Sequence, residues 1–473
     1  MDDRELAFTP AWRLREMIGA REVSPVELTE LYLRRIDALN PKLNAYLTVD
    51  GDRAMADARK AEAAVASGGD LPPLHGVPIG IKDLTETEGL RTTNGSALYK
   101  DYVPKADELT AARIRASGAI ILGKTNTPEF GHSATTENML GDAARNPWDT
   151  ERTPGGSSGG TAAGLAAGLH PIATGSDGGG SIRIPASLSG VFGIKPTQGR
   201  VARPYHSPGG WRPFSCNGPM SNDVRDAAIL LEVMAGPDAS DPPAMPGPVP
   251  KFTAELDAGV KGMQVGWSAD LGGLPVDPEV RAITEAAVRA FAELGASVEV
   301  AKVDMDHRSV FETFDTIWVS DLVAGSGKYL ADHADEMSAS FREQLERGVP
   351  WPASRLALAL RELEWHRART DALVTTYDLL VTPTTATAAF PIGQRPSVID
   401  GKQVAPWWGF TPFAYLFNMS GHPAASIPCG FTAEGLPVAL HVVGHHGAES
   451  TVLRACAAFE RARPWIGTRP AVS

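Results

Sequence analysis

Gly175-Ser176-Asp177-Gly178-Gly179-Gly180-Ser181-Ile182-Arg183-Ile184-Pro185-Ala186 is the stretch on which the reading of this chain turns. Residues 171–174, just before it, read as a short strand, and residues 181–188 read as a helix. The three successive glycines between them reach backbone angles closed to other residues. Such a turn aims several N–H groups into one concavity, a seat for a developing oxyanion, with the Ser181 hydroxyl beside it. A strand that runs through a Gly-rich turn into a helix is also the repeating unit of an α/β layer fold.

A second Gly–Ser loop lies upstream, Thr153-Pro154-Gly155-Gly156-Ser157-Ser158-Gly159-Gly160. Further back, Gly76-Val77-Pro78-Ile79-Gly80-Ile81-Lys82-Asp83 ends an apolar strand, residues 77–81, on a lysine. A lysine carried into the core is poorly hydrated in its charged form, so its pKa falls and the neutral amine can act as a general base. Ser–Lys pairs are a known variant of the Ser-His-Asp triad. Taken singly, each piece reads more simply as a flexible loop or a solvated lysine. A phosphate cradle fails in detail, because residues 155–160 lack the Lys-Ser/Thr of a P-loop and neither loop completes GxGxxG. Gly156-Ser157-Ser158-Gly159-Gly160 also matches a GxSxG nucleophile elbow, with Ser158 as nucleophile and His441, His445 and His446 downstream. That elbow needs a strand immediately before it, whereas Asn146-Pro147 and Thr153-Pro154 make the approach a loop.

Strand–helix alternation extends along the chain. Ser24-Pro25-Val26-Glu27 is a capping box, and the apolar stripe behind it predicts a helix ended by Asn40-Pro41. Helices are predicted at 54–67, 109–117, 158–168, 279–294 and 450–461, and strands at 119–122, 265, 297–303, 379–381, 424–428 and 437–443. Residues 307–375 read as mostly helical. Between 236 and 250 Pro and Gly cluster, which reads as a long excursion within one domain. The net charge of −12 argues against a phosphate-backbone binder. Three scattered cysteines, Cys216, Cys429 and Cys456, suit neither a disulfide scaffold nor a CxxC metal site, and read as reduced core thiols. With no run of about 18 apolar residues and no apolar leader near Met1, a soluble cytoplasmic protein is expected.

Several further segments extend the pattern in order: Gly123-Lys124-Thr125-Asn126-Thr127-Pro128-Glu129-Phe130, Thr136-Glu137-Asn138, Arg145-Asn146-Pro147-Trp148-Asp149 and Gly193-Ile194-Lys195-Pro196-Thr197. With the two Gly–Ser loops and the strand into Lys82, this series resembles the amidase signature family of Ser-cisSer-Lys amidohydrolases. The spacings fit too: Ser157 follows Lys82 by 75 residues and Ser181 follows Ser157 by 24. The resemblance spans nearly the whole chain, with the signature core at about 75–200 and a C-terminal pocket segment at about 405–445. It implies one amidase domain, 1–473, built on a large mixed central β-sheet flanked by helices on both faces. It also implies Ser181 as nucleophile, Ser157 as the middle serine behind a cis Gly156–Ser157 bond, and Lys82 as base. The oxyanion hole would be the N–H groups of Gly178, Gly179, Gly180 and Ser181. Ser158 and Asp177 would support the loops, and Arg183 would pair with a carboxylate. Gly178 departs from the Thr or branched residue common at that place, which makes the hole roomier.

Residues 407–417 hold six aromatics in eleven, and Trp211 and Phe214 form a smaller cluster. Core packing is the plainer reading. The functional one makes Trp211, Phe214, Trp407, Trp408 and Phe410 a pocket for an aryl or bulky apolar group. His132 and His206 have no partner motif and read as ordinary histidines. The expected reaction is hydrolysis of small-molecule amides, anilides or hydrazides without cofactor or metal. Neither nucleic acid nor membrane is expected as a partner, and the chain would act alone or as a homodimer. The alternative within the same family is the glutaminase component of a tRNA-dependent amidotransferase. Residues 126–134 depart from the Asp-Glu-Phe-Ala-Met-Gly run of that component.

Overall fold

The computed structural model describes residues 2–204 and 214–473. Thirteen strands are named among them: β1 (Tyr46–Val49), β2 (Pro78–Lys82), β3 (Ile120–Thr125), β4 (Ile172–Asp177), β5 (Phe192–Lys195), β6 (Cys216–Ser221), β7 (Gln264–Trp267), β8 (Ser297–Val300), β9 (Leu379–Pro383), β10 (Val398–Ile399), β11 (Lys402–Gln403), β12 (Ala424–Phe431) and β13 (Pro437–Gly444). Eleven of them form one sheet in the order β1-β3-β2-β4-β6-β5-β12-β13-β9-β7-β8, while β10 and β11 make a separate hairpin. The sheet is mixed. β2 runs parallel to β3 and β4, β7 parallel to β8 and β9, and the central pairings are antiparallel.

Period-two alternation explains why both faces are covered. In β9, Leu379 and Val381 join one apolar core while Leu380 joins the other. In β13, Leu440 and Val442 face the first core, and Val443 the second. The first core is closed by helices such as Pro25–Leu43, Val224–Met234, Pro278–Glu293 and Glu449–Ala462. The second is closed by the helical stretch from His307 to Val374 and by the aromatic segment around Trp408. No described helix is long and apolar enough to cross a membrane.

The predicted helix at Ser24-Pro25 forms with its capping box, but it does not stop at Asn40-Pro41. It continues through Pro41 to Leu43. Asn44 then turns left-handed at φ 46° and its N–H closes on the Asn40 carbonyl, while Leu43 is fully buried. Burial of Leu43 outweighs the one hydrogen bond that Pro41 cannot make. The alternation pattern misses the short strands β1, β10 and β11 and two central strands, β5 (FGIK) and β6 (CNGPMS), whose Gly, Asn and Pro are poor strand formers. β6 pairs along its whole length with β4, whereas β5 reaches only Ser221 and Met220 of it. Pro219 therefore sits where pairing with β5 has already ended, a position that tolerates a missing N–H.

Candidate active site

Lys82 is the last residue of β2, 1% exposed at a position where its own N–H donates to Thr174 Oγ1 on β4 at 3.1 Å. Its Nζ lies 2.7 Å from Ser157 Oγ, 2.9 Å from Ser176 Oγ and 3.3 Å from the Ser176 carbonyl. Burial holds this amine well below the ordinary lysine range; Asp177 nearby pulls the other way and Arg203 adds to the lowering. A neutral amine has two N–H donors and one lone pair. The two contacts to Ser176 take the donors, and the lone pair remains for the Ser157 hydroxyl proton.

Ser157 stands in the loop before the helix Gly159–Ala166, and the Gly156–Ser157 peptide bond is cis. Gly156 runs so close to Thr135 that a Cβ there would sit 2.7 Å from the Thr135 carbonyl carbon, so only glycine fits. Ser158 N–H donates to the Ser181 carbonyl at 3.1 Å, which locks the two Gly–Ser loops side by side. Ser158 Oγ exchanges long hydrogen bonds with Ser176 main chain, both 3.4 Å. No strand precedes this loop, and His441 is bonded to Arg183 rather than Ser158, so the nucleophile-elbow reading does not hold.

Ser181 opens the turn into the helix Arg183–Ser189. Asp177, at the end of β4, organises that turn. It accepts from the N–H groups of Gly180 (2.8 Å), Ile182 (3.1 Å) and Arg183 (3.4 Å). The Gly180 N–H is thereby taken, which corrects the expected four-donor cradle. Gly178, Gly179 and Ser181 supply the N–H groups without an acceptor among the described residues. Arg183 grips Asp177 with two charge-assisted bonds of 2.9 Å, both side chains being fully buried. Burial alone would raise the Asp177 pKa; the Arg183 pair and Asn418 outweigh it and hold the carboxyl below its usual range.

Four residues make contacts here that the sequence pattern does not show. Ser176 lies inside the quoted motif, yet only the fold shows it holding Lys82. Asn418 Nδ2 donates to Asp177 Oδ1 at 2.8 Å and its Oδ1 accepts from Arg183 Nη2 at 2.6 Å. His441 Nε2 accepts from Arg183 Nη1 at 3.0 Å, and burial followed by the Arg183 charge keeps the ring neutral. Phe314 is the fourth. Its ring and that of Trp408 come so near Gly179 that a Cβ there would meet them at 2.9 and 3.1 Å.

The predicted aromatic residues divide. Trp408 abuts the cradle and stands edge-on to Phe314 at 5.0 Å. Phe214 stacks on Phe314 at 6.0 Å, and its carbonyl accepts from Asn418. Trp407 is half-buried, tilted against Trp318 at 6.4 Å, with the Arg395 guanidinium 4.1 Å from its ring centre. Phe410 turns instead to Phe390, at 4.8 Å, in the core. Trp211 and His206 lie outside the described residues. His132 is buried between the Glu129 carbonyl at 2.8 Å and Ser340 at 3.0 Å, an ordinary packed histidine.

The chain matches the family model described as Amidase over residues 27–453. An acylamidase of Rhodococcus erythropolis is 37% identical, covering 100% of this chain and 99% of its own length. A glutamyl-tRNA(Gln) amidotransferase chain of Moorella thermoacetica is 36% identical, covering 98% of this chain and 99% of its own length. Among solved structures, a bacterial aryl acylamidase of the amidase signature enzymes superposes with a TM-score of 0.91 at 30% identity, covering 97% of each chain.

Proposed function

The chain belongs to the amidase family and is a hydrolase of amide carbon–nitrogen bonds, and from that premise we propose that it works through an acyl-enzyme on Ser181, with Ser157 and Lys82 relaying protons. The observation that carries this reading is the 2.7 Å contact between a buried Lys82 Nζ and Ser157 Oγ. The Ser181 oxygen attacks the substrate carbonyl carbon, its proton moving to Ser157 Oγ as the Ser157 proton moves to neutral Lys82. The resulting oxyanion is met by N–H groups of Gly178, Gly179 and Ser181. Collapse breaks the C–N bond, and the proton returns from Lys82 through Ser157 to the departing amine. Water then attacks the ester by the same relay, releasing the carboxylic acid and restoring neutral Lys82.

The substrate class in this reading is a small aryl or alkyl amide, anilide or hydrazide, taken without cofactor, nucleic acid or membrane. Phe314 and Trp408 against Gly179 support an apolar group beside the cradle. The match to the Moorella amidotransferase chain favours a second reading, a glutaminase dependent on a partner complex. One experiment addresses both. The lone chain is assayed with an aryl acetamide and with glutamine, alongside Ser181→Ala, Ser157→Ala and Lys82→Ala. Aryl amide turnover that falls by about 10³-fold or more in each variant is expected. Near-wild-type turnover in any one of them sinks the triad, and glutamine as the only substrate moves the protein to the second reading.

A further inference from the structure

Asp371 on the helix Ala353–Val374, His422 in the turn after the helix Tyr415–Met419, and His446 just after β13 converge from three separate elements. One ligand atom from each lies within 4.8 Å of the others. His422 is fully buried, while Asp371 and His446 are exposed. The two imidazole rings lie 4.1 Å apart, tilted by 37°. Gly421, at φ +82°, makes the turn that brings them together; a Cβ there would approach His446 Cε1 to 3.2 Å.

His422 Nδ1 lies 2.9 Å from Ser420 Oγ, within hydrogen-bond distance. With Nδ1 as the donor of that bond the lone pair falls on Nε2, which is the tautomer a metal-bound His422 requires. His422 Nε2 is buried with no hydrogen-bond partner, and it faces Asp371 Oδ1 at 3.4 Å. That gap is long for a good hydrogen bond, and it leaves the buried Nε2 unpartnered beside a carboxylate oxygen. Atoms bound to one tetrahedral zinc-type ion at about 2.0–2.1 Å stand about 3.4 Å apart. Two borderline imidazoles with one carboxylate oxygen form a donor set that zinc-type ions accept, with a fourth position open to water.

We propose that His422, His446 and Asp371 bind one divalent transition-metal cation of the zinc class. The ion clamps the turn after Asn418, the residue that holds Asp177 and Arg183, onto the helix that carries Asp371. Arg367 of the same helix already ties this turn through Met419, donating to its carbonyl at 2.9 Å. The cation site stands independently of the catalytic roles of Lys82, Ser157 and Ser181.

The test uses the tag-free full chain, stripped with a chelator and titrated with Co²⁺ and then Zn²⁺. One Co²⁺ per chain is expected, with a visible ligand-field band, no thiolate charge transfer, and displacement by Zn²⁺. Zn²⁺ should also raise the unfolding midpoint. His446→Ala and Asp371→Asn change exposed side chains, so the fold should survive by circular dichroism while affinity falls by about tenfold or more. Failure to take up one equivalent of Co²⁺, a thiolate band, or wild-type affinity in both variants overturns the site.

Discussion

Lys82 is held between Ser157 and Ser176 at the end of an apolar strand, and its protonation state has a consequence for stability. Its folded pKa lies below the ordinary 10.5, so between the two values the unfolded chain binds the extra proton. Stability therefore rises with pH across that window, and wild type loses stability as pH falls from 10.5 toward the folded value. Lys82→Met lacks this slope. The stability of Lys82→Met relative to wild type should grow as pH is lowered through the window, by up to about 1.4 kcal/mol per pH unit, and level off below it. Urea unfolding of the two proteins across neutral to alkaline pH measures this; a constant difference would mean that the lysine is not buried uncharged. The sequence singles out Lys82, Ser157 and Ser181 through an apolar strand that ends on lysine and two Gly–Ser loops at the spacings of the family it resembles. It does not single out Ser176, because its contact with Lys82 depends on how β4 lies beside β2.

The turn between β4 and the helix Arg183–Ser189 takes its shape from within and its wall from outside. Asp177 and Arg183 are near neighbours in sequence, and their pairing fixes the main chain of the turn. The helix His307–Ser326 and the segment around Trp408 then press on Gly179. Gly179→Ala tests that packing. Its methyl must displace Phe314 or Trp408, both held in a dense aromatic cluster. Overpacking of this kind costs about 1–3 kcal/mol. The unfolding midpoint should drop by that scale, and amide turnover should fall further because a cradle N–H is displaced. Unchanged turnover with a lowered midpoint would show that Gly179 serves packing alone.

Across the whole molecule, the second helix of the chain, Ala11–Gly19, has no side-chain cap of its own. It borrows Asp226, whose carboxylate accepts from the N–H groups of Ala11 and Trp12, both at 2.7 Å. Asp226 in turn is crowded by Asp223 and by Glu460 of the last helix. Burial, then Asp223 and Asp226, push the Glu460 carboxyl up to about 9. The folded chain thus keeps a proton that the unfolded chain releases above 4.5. Stability from this group is complete below 4.5 and is lost as pH rises toward 9. Glu460→Gln removes that loss, so its stability relative to wild type should climb between those values; equal pH profiles in urea unfolding would refute the protonated carboxyl. By itself the sequence determined the α/β alternation, the Gly–Ser loops and the residues they carry, because each is a local matter of period, turn chemistry and spacing. Only the tertiary structure decided that Asn418 and His441 brace Arg183, that Gly180 gives its N–H to Asp177, and that Phe314 walls the cradle. Periodicity shows which side of an element is apolar, but it does not say which distant element that side will meet.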